Sequence, residues 1–546
     1  MSSPYAQQTS LQPVTINEEA VDVAAVEEVS SNGKRKCLII AGVALVVAAA
    51  IGTTVGVLVA KNNTSSTSAG GEGNAGGGGK TKPGSGSSAG VTTAPGTATT
   101  ATPGSTPAST ASAVNPTSDP NTQTPVLTML AIGDWGGTTG KASGTPGSCC
   151  VLYKTTGQIN TSLPRYKVDY YSQMYIAALL GQSAKALSPV RVLGHGDNFY
   201  WNGVGSADVA YRFQTTFEDV YNDPALAGVP WINVAGNHDI GGSSFICGDK
   251  DNAFVECAST AEMLSFLNER FNLQAKYVSP NQNRWVLKDH YYVERVSKGG
   301  VSVDIFNVDT NYADSHGARQ VCCQCYGYST KYGYDQSQCN NVDAGDKACA
   351  GGNADMYNTC MATITGWATD SLKQATRDIA ASTADFKIIN THYSPHYHMS
   401  PPKMQAWYDL CKAGNVQVWF NGHTHGFNHD IATWGTHFFE NGGGGGIVTE
   451  TSSGVKSATV NNEWIAAGNP YGYFELSFTK EWLKVQFATF DNSWVFAGTN
   501  LDATTPGGIA RGHCWYIPSS NYTATGALGV ECKSSINTPI GAPIRR

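Results

Sequence analysis

Five short polar blocks in the C-terminal two-thirds of the chain each begin where a run of apolar residues stops. Short apolar runs that alternate with longer amphipathic stretches predict strands and helices in βαβ-like units. Open α/β sheets bind their ligands at the carboxyl ends of the strands, which is where these blocks fall. The adjoining glycines let the chain turn sharply and approach a ligand closely. The blocks are Gly133-Asp134-Trp135-Gly136, Gly196-Asp197-Asn198-Phe199-Tyr200, Gly236-Asn237-His238-Asp239, Thr391-His392 and Gly422-His423-Thr424-His425.

From residue 126 onward the pattern predicts one large α/β domain. The predicted strands are Val126–Ile132, Val190–Leu193, Trp231–Ala235, Val301–Val308, Phe386–Ile389 and Val416–Phe420. The predicted helices are Val168–Leu187, Asp208–Tyr221, Ser259–Phe271 and Thr369–Ala381, and Ser259 with Glu262 forms a capping box at the start of the third. The runs Tyr471–Phe478 and Leu483–Phe490 alternate apolar and polar residues, which predicts an antiparallel hairpin and a second sheet packed on the first.

The side chains of the blocks are those of a metal site. Asp, Asn, His and Tyr supply hard oxygen donors and imidazole nitrogens, which suit iron, zinc or manganese. Seven or eight such groups are too many for one ion and fit two ions that share a bridging carboxylate. Tyr200 indicates which kind of metal site this is, because a phenolate is a strong anionic donor for Fe(III) that a mononuclear zinc hydrolase does not need. A single block is typical of an ordinary turn, but five in register on consecutive strands indicate two-metal chemistry.

The N-terminal part of the chain differs in composition from this domain. Residues 1–36 are polar and acidic apart from Lys34-Arg35-Lys36, and the 24 residues from 37 to 60 carry no charge. A run of that length crosses a bilayer as a helix, and the basic residues before it place the N-terminus in the cytosol. We therefore predict a cytosolic tail (1–36) and a type II signal anchor (37–60). A cleaved signal peptide, which gives a secreted protein, and a buried core helix are the alternatives.

Residues 61–125 are rich in Gly, Ser, Thr, Ala and Pro, which predicts a disordered stalk that suits O-glycosylation. Four N-glycosylation sequons begin at Asn62, Asn63, Asn160 and Asn521. With an uncleaved anchor, the catalytic domain (126–546) is extracellular or lumenal. The net charge of −7 and the lack of a basic run beyond the anchor exclude nucleic acid from the expected partners.

Thirteen of the fourteen cysteines follow the stalk, a usage typical of an oxidising compartment. The remaining one, Cys37, lies at the cytosolic edge of the anchor, either as a palmitoylation site or as an inert thiol. Six cysteines crowd a stretch at about 318–362, which favours a disulfide-stapled insertion over a zinc knuckle because no clean pair of C-x-x-C arms is present. Since thirteen is odd, at least one thiol stays free or pairs between molecules. The six are Cys322, Cys323, Cys325, Cys339, Cys349 and Cys360.

Taken together, the five blocks resemble the metallophosphoesterase superfamily, and within it the purple acid phosphatases. The resemblance covers about residues 126–446 and is closest to the tartrate-resistant acid phosphatase type. It implies a calcineurin-like sandwich of two mixed β-sheets flanked by helices. Phosphoprotein phosphatases and phosphodiesterases look similar in the other blocks but lack the counterpart of Tyr200. The closest similarity lies in Gly196-Asp197-Asn198-Phe199-Tyr200, Arg212-Phe213-Gln214, Phe217-Glu218-Asp219-Val220 and Val229-Pro230-Trp231.

The resemblance implies a ligand set and a reaction. Its ligands are Asp134, Tyr200 and His425 for a first ion, Fe(III); Asn237, His392 and His423 for a second ion, which is Fe, Zn or Mn; and Asp197 as the bridge. Two such cations can bind the oxygens of a phosphomonoester, generate hydroxide at low pH and stabilise the in-line transition state. The expected activity is therefore that of an acid phosphatase acting on phosphomonoesters.

Histidines beside the ligands are the catalytic candidates. His238 follows Asn237 and is the candidate general acid for the leaving alkoxide, by position and by the resemblance. The small phosphatases carry a further active-site histidine after the counterpart of His392, and His396 and His398 are the candidates here, although neither spacing matches closely. For the other histidines we expect a supporting contact around the site from His195 and an ordinary surface or satisfied polar role for His290, His316, His429 and His437.

Two alternatives to the phosphomonoesterase stay open. One is a phosphodiesterase or nucleotide pyrophosphatase of the same superfamily, against which Tyr200 argues. The other is a catalytically inactive cell-surface interaction protein, which the stalk and the cysteine-rich insertion permit and the full ligand set opposes. The expected partners are thus a phosphomonoester and a membrane, the latter through residues 37–60.

Overall fold

The structure is a computed structural model, and it describes residues 115–137, 166–251, 253–446, 454–468 and 470–532. The predicted tail, the predicted anchor and the predicted stalk up to residue 114 lie outside these ranges, as do Cys37 and the sequons at Asn62, Asn63 and Asn160. Within the described ranges, no helix has both the length and the apolar character needed to cross a membrane.

The described residues form an α/β fold of two mixed sheets with helices around them. The strands are β1 Leu127–Ile132, β2 Val192–Gly194, β3 Trp231–Asn233, β4 Trp285–Val286, β5 Tyr291–Lys298, β6 Val301–Val308, β7 Phe386–Asn390, β8 Val418–Asn421, β9 Phe427–Ala432, β10 His437–Asn441, β11 Val460–Ile465, β12 Gly472–Phe478, β13 Trp482–Phe490, β14 Ile509–Pro518 and β15 Val530–Glu531. The helices are α1 Tyr166–Asp169, α2 Ser172–Leu187, α3 Val209–Arg212, α4 Thr260–Ala275, α5 Ala318–Cys323, α6 Cys325–Tyr332, α7 Ala354–Ala381, α8 Pro395–His398, α9 Pro401–Gly414 and α10 Ser520–Thr523.

Sheet 1 has the strand order β15-β14-β13-β12-β1-β2-β3-β4, and sheet 2 has the order β11-β9-β10-β8-β7-β6-β5. In sheet 1, β1 to β4 run parallel and β12 to β15 are antiparallel neighbours. In sheet 2, β6, β7, β8 and β10 run parallel to one another. Phe474 of β12 lies between the sheets, with its ring centroid 6.0 Å from Phe420 of β8 and 5.2 Å from Phe439 of β10. The two sheets therefore share a core, as a sandwich requires.

The predicted hairpin is confirmed, but the sheet assigned to it is wrong. β12 and β13 pair antiparallel, and β12 also pairs with β1, so the hairpin extends sheet 1. Sheet 2 starts instead at the hairpin of β5 and β6. The ligand blocks therefore do not follow consecutive strands of one sheet. Three of them follow β1, β2 and β3 of sheet 1, and two follow β7 and β8 of sheet 2.

Two predicted helices differ from the observed ones in instructive ways. The helix expected over Thr369–Ala381 is the C-terminal half of α7, which starts at Ala354 and runs for 28 residues. Residues 354–362 of the predicted cysteine-rich insertion thus belong to a regular helix. The segment expected as one helix over Asp208–Tyr221 is α3 followed by a wider helical turn over Phe213–Glu218. Half of the predicted capping box is present: Ser259 Oγ accepts a hydrogen bond from the Glu262 amide at 3.1 Å, while the Glu262 carboxylate accepts from the Ala258 amide rather than from Ser259.

Disulfides staple the insertion as predicted. All six of its cysteines are paired, which leaves none of them as a thiolate for zinc. The bonds are Cys322–Cys360, Cys323–Cys349 and Cys325–Cys339, with Cys247–Cys257 and Cys514–Cys532 elsewhere. Cys411 is a free thiol in the described ranges, and burial raises its pKa, so it stays protonated.

Three histidines, two buried and one partly buried, form a chain that joins the two sheets. His429 of β9 lies in the middle, with one ring nitrogen 2.9 Å from His513 of β14 and the other 2.9 Å from His437 of β10. Burial lowers the pKa of His437 to about 3 and that of His513 to about 4, so these rings are neutral at mildly acidic pH. His429 therefore takes the satisfied polar role, and His437 is buried rather than on the surface.

Candidate metal centre

The five blocks meet at the carboxyl ends of the central strands of both sheets. Three ligand residues leave their strands with positive φ: Asp134 at 53°, Asp197 at 52° and His423 at 71°. L residues rarely adopt this conformation, and it persists where the surrounding structure determines it. Glycine is required at two adjoining positions because the carboxylates lie so close. A Cβ on Gly236 would come within 2.2 Å of Asp197 Oδ1, and one on Gly422 within 2.2 Å of Asp134 Oδ2.

The first group of ligand atoms surrounds Asp134. Its Oδ1 lies 3.1 Å from the hydroxyl of Tyr200 and 3.3 Å from Nε2 of His425. The same Nε2 lies 2.8 Å from the Tyr200 hydroxyl. These are the three residues that the sequence assigns to the first ion.

The second group surrounds the amide oxygen of Asn237. This oxygen lies 3.1 Å from Nε2 of His392 and 3.2 Å from Nδ1 of His423. The two imidazole nitrogens are 3.3 Å apart. The three residues that the sequence assigns to the second ion are therefore also together.

Asp197 belongs to both groups. Its carboxylate forms one set of mutually close donor atoms with Asp134 and His425, and a second set with His392 and His423, each within 4.8 Å. Asp197 Oδ1 lies 3.4 Å from Nε2 of His392, whereas Oδ2 is buried and accepts no hydrogen bond from the described residues. A buried carboxylate oxygen without a donor is costly unless a cation meets it. This orphaned oxygen fits a bridging ligand.

The electrostatics of the buried ligands also suit cations. Burial raises the pKa of Asp134, and its hydrogen bond with His425 only partly offsets this. Burial acts in the same direction on Asp197, but the charges of the neighbouring histidines, His392 first, outweigh it and lower the pKa of this carboxyl. Burial lowers the pKa of His423 well below its ordinary value, so its ring keeps the lone pair that a metal needs. The donor set therefore fits two positive ions.

Contacts behind the ligands fix the orientation of the His392 ring. Its Nδ1 donates to the carbonyl oxygen of His195 at 2.8 Å, which directs Nε2 to the centre. His195 itself is buried, hydrogen-bonds with Asn390 at 2.6 Å and stacks on Phe420, with ring centroids 5.3 Å apart. Burial lowers the pKa of His195 to about 3. The predicted supporting role of His195 is confirmed.

His238 lies at the centre but contributes no atom to either ligand group. Its Nδ1 lies 2.5 Å from the carbonyl oxygen of Trp201, to which it can only donate. Its Nε2 is 4.0 Å from Asp197 Oδ2, and its backbone amide donates to Asp197 Oδ1 at 3.1 Å. The ring also lies against that of Tyr200, with centroids 4.6 Å apart. This arrangement leaves Nε2 as the nitrogen that faces the bridging carboxylate.

A cavity of about 180 Å³ opens onto the ligands, and it separates the two remaining histidine candidates. His398 lines the cavity, where its Nε2 lies 3.2 Å from Thr424 Oγ1 and burial lowers its pKa to about 3. The structure does not bring His396 to the cavity, because its Nε2 pairs with the buried carboxylate of Asp430 at 3.1 Å. The lining residues are Asp197, Asn237, His238, Ser315, His316, Gln320, Tyr397, His398, His423 and His425.

Sequence reasoning missed four of the lining residues: Ser315, His316, Gln320 and Tyr397. Three of these precede or begin the cysteine-rich insertion and lie in no recognisable block. His316 was expected to have an ordinary role, yet its ring centroid lies 5.9 Å from that of His423. Tyr397 lies between the two histidine candidates in the sequence, and that position was the only indication that it lines the cavity.

The chain was compared with protein families, characterised proteins and solved structures. Residues 127–427 match the family described as calcineurin-like phosphoesterase. Tartrate-resistant acid phosphatase type 5 of Sus scrofa is 31% identical over 189 residues, which cover 34% of this chain and 40% of that protein. The chain thus spans well under two-thirds of this relative.

Solved structures align over a larger share of the chain at low identity. GAP50, the anchor in the inner membrane complex of Plasmodium, aligns with a TM-score of 0.40 at 14% identity, covering 67% of this chain and 85% of that one. The purple acid phosphatase PPD1 from yellow lupin (Lupinus luteus) seeds aligns with a TM-score of 0.39 at 12% identity, covering 76% of this chain and 58% of that one. The family match spans more than half of the 546 residues. The chain belongs to the calcineurin-like phosphoesterase family.

Proposed function

We propose that this protein is an acid phosphatase that hydrolyses phosphomonoesters at a centre of Fe(III) and a second, divalent ion of iron, zinc or manganese. One observation carries the proposal: the carboxylate of Asp197 is shared between two sets of metal-ligand atoms. The phenol of Tyr200 lies within 3.1 Å of Asp134 and 2.8 Å of His425 in one set, which favours Fe(III) there. The similarity to tartrate-resistant acid phosphatase type 5 supports the same activity.

In the proposed reaction, some residues hold the two ions and another donates a proton. Asp134, Tyr200 and His425 would hold the first ion, Asn237, His392 and His423 the second, and Asp197 both. When bound, two such ions neutralise the phosphate and supply hydroxide at acidic pH. His238 supplies the proton for the leaving alkoxide. Because its Nδ1 is held by the Trp201 carbonyl, the proton that it transfers is the one on Nε2.

Replacing Tyr200 with phenylalanine tests the proposed centre directly. The wild-type domain should contain about two metals per chain, absorb broadly in the visible range through Fe(III)–tyrosinate charge transfer, and hydrolyse an aryl phosphate at pH 5. The Y200F variant should lose the absorption band and most of its iron, because no other phenol oxygen lies between Asp134 and His425 in the described residues. Metal analysis, visible spectroscopy and the assay are run on the same samples.

The matched control is Tyr221→Phe. Tyr221 is also a fully buried tyrosine, but its ring packs on Trp231 at 4.6 Å in the aromatic core rather than at the centre. This variant should keep the colour, the metals and the activity. A colourless two-metal wild type that cleaves mainly diesters would assign the chain to a phosphodiesterase instead. A folded wild type without metals or activity would favour the interaction protein.

A second prediction concerns His238. His238→Gln should lower kcat for an alkyl phosphate about 10²- to 10⁴-fold, the contribution typical of a positioned general acid. The loss should be smaller for an aryl phosphate, whose leaving group departs without a proton. Metal content should stay at the wild-type value, since His238 contributes no atom to either ligand set. Equal losses on both substrates would contradict the proposed role of His238 as proton donor.

We also propose that the protein is a type II membrane protein whose catalytic domain faces the outside of the cell or a lumen. Five disulfides in the described residues suit an oxidising compartment. The expressed chain should resist extraction from membranes by carbonate, and deletion of residues 37–60 should release it. Its C-terminal domain should be protected from protease in sealed vesicles. A chain that loses its N-terminal 60 residues in the cell would instead be a secreted phosphatase.

A further inference from the structure

One wall of the cavity is built by a segment outside the five ligand blocks. Ser315, His316 and Gln320 follow strand β6 and lead into the disulfide-stapled insertion. The other lining residues are the ligands themselves, His238, and Tyr397 and His398 of the short helix α8. The segment therefore contributes lining residues that the five ligand blocks do not supply.

Contacts hold this segment rigidly against the rest of the site. The backbone amides of Asp314 and Ser315 donate to the carbonyl oxygen of His398 at 2.8 and 3.1 Å. The Tyr393 hydroxyl lies 2.8 Å from the carbonyl oxygen of His316 and 3.0 Å from the amide oxygen of Asn237. The wall is thus connected both to the helix that carries His398 and to a metal ligand.

The insertion itself is docked on the loop that follows His238. The Ile246 amide donates to the side chain of Gln324 at 2.9 Å, and the Tyr326 amide donates to the Ser243 carbonyl at 3.1 Å. Cys322, two residues after Gln320, is cross-linked to Cys360 of α7. These contacts hold the insertion beside the cavity, which Gln320 lines.

The side chains of this wall are polar groups that form hydrogen bonds. A serine hydroxyl, an imidazole and a glutamine amide can each hydrogen-bond with the hydroxyl group of an alcohol. No lysine or arginine occurs among the described residues that line the cavity. The hydroxyl of Tyr397 is already occupied by Asp430 at 2.8 Å and Asn428 at 3.0 Å, so this residue offers its ring to the cavity.

We propose that Ser315, His316 and Gln320 form a leaving-group subsite for an uncharged, hydroxyl-bearing group such as a sugar or glycerol. The proposal rests on the phosphatase activity proposed above. In that reaction a water oxygen bonds to phosphorus, the P–O ester bond breaks, and the alcohol leaves with a proton. The hydroxyl groups of a sugar phosphate give these side chains hydrogen-bond partners, so a sugar phosphate is the substrate expected to use the subsite.

Two variants of the wall test the proposal by substrate selectivity. His316→Ala and Gln320→Ala should each lower kcat/KM for glucose 6-phosphate about 3- to 10-fold, the loss expected for one hydrogen bond. Phenyl phosphate, which has no hydroxyl on its leaving group, should change less than about twofold. His316→Gln keeps a donor and an acceptor and should recover part of the loss. The control is Gln338→Ala, an exposed glutamine of the same insertion, which should change neither value.

The outcomes separate this subsite from the phosphatase activity itself. The subsite is overturned if both alanine variants keep the wild-type ratio of kcat/KM for glucose 6-phosphate to kcat/KM for phenyl phosphate. That result would leave the proposed phosphatase activity intact. Equal losses on both substrates also overturn the subsite, because they place the side chains on the phosphate. Metal content of the variants, which should equal that of the wild type, excludes damage to the centre as the cause. A wild type that hydrolyses no phosphomonoester overturns both proposals.

Discussion

Asp197→Ala is expected to remove the bound metals and to lower phosphatase activity about 10³-fold or more. Asp197 is the one residue that belongs to both sets of donor atoms, so its removal weakens both metal positions at once. Two bound cations contribute several kcal/mol of charge stabilisation to the transition state, and each 1.36 kcal/mol corresponds to a tenfold change in rate. Metal analysis and kcat/KM for an aryl phosphate at pH 5 measure the two losses.

A matched control separates the role of this carboxylate from a general effect of removing an aspartate. Asp409→Ala makes the same chemical change at an exposed position on α9, where the carboxylate accepts only from Gln405 at 2.8 Å among the described contacts. It should retain metals and activity. Asp197→Asn keeps the shape of the side chain and removes its charge, and it should behave like the alanine variant. An Asp197→Ala protein with two metals and full activity would contradict a dinuclear centre bridged by this residue.

The positions of the candidate ligands could be predicted from the sequence because each follows a strand that local patterns reveal, whereas their division between two ions came from the family resemblance. Strand β6 was predicted with its observed bounds, and β1 differs by one residue at its start. The end of an apolar run also marks where a side chain reaches the edge of a sheet. Local pattern and site position therefore agree for Asp134, Asp197, Asn237, His392 and His423.

The division of these strands between two sheets could not be predicted in the same way. An apolar run shows that a strand is buried but not which strand it pairs with. The pairing of β12 with β1 joins residues about 350 positions apart, such as Leu127 and Phe478, and no local signal records it. The same holds for the histidines predicted as catalytic candidates. His396 does not line the cavity because its Nε2 pairs with the carboxylate of Asp430, which lies 34 residues further along the chain on β9.

Arg212→Met is expected to lower the free energy of unfolding by about 3–5 kcal/mol, the cost typical of breaking a buried ion pair. The guanidinium is fully buried, pairs with Asp251 at 2.8 Å and donates to the carbonyl oxygens of Tyr200 at 2.5 Å and Gly203 at 2.9 Å. Methionine fills similar space but leaves the Asp251 carboxylate without its cation. The loss of unfolding free energy is measured as a shift in the midpoint of urea unfolding, with the dependence of the unfolding free energy on urea concentration unchanged.

The control for this charge removal is Arg377→Met, because Arg377 forms an exposed pair with its neighbour Asp378. Exposed pairs contribute about 0–1 kcal/mol, so that midpoint should hardly move. Removing both buried charges, as Arg212→Met with Asp251→Leu, should recover part of the loss, since no unpaired charge remains. A loss below about 1 kcal/mol for Arg212→Met alone would contradict the buried pair. Arg212 also donates a hydrogen bond to the backbone carbonyl of Tyr200. The Arg212→Met variant should therefore show a weaker visible absorption band even under conditions where it is still folded. That result would show that this one side chain connects the core to the metal centre.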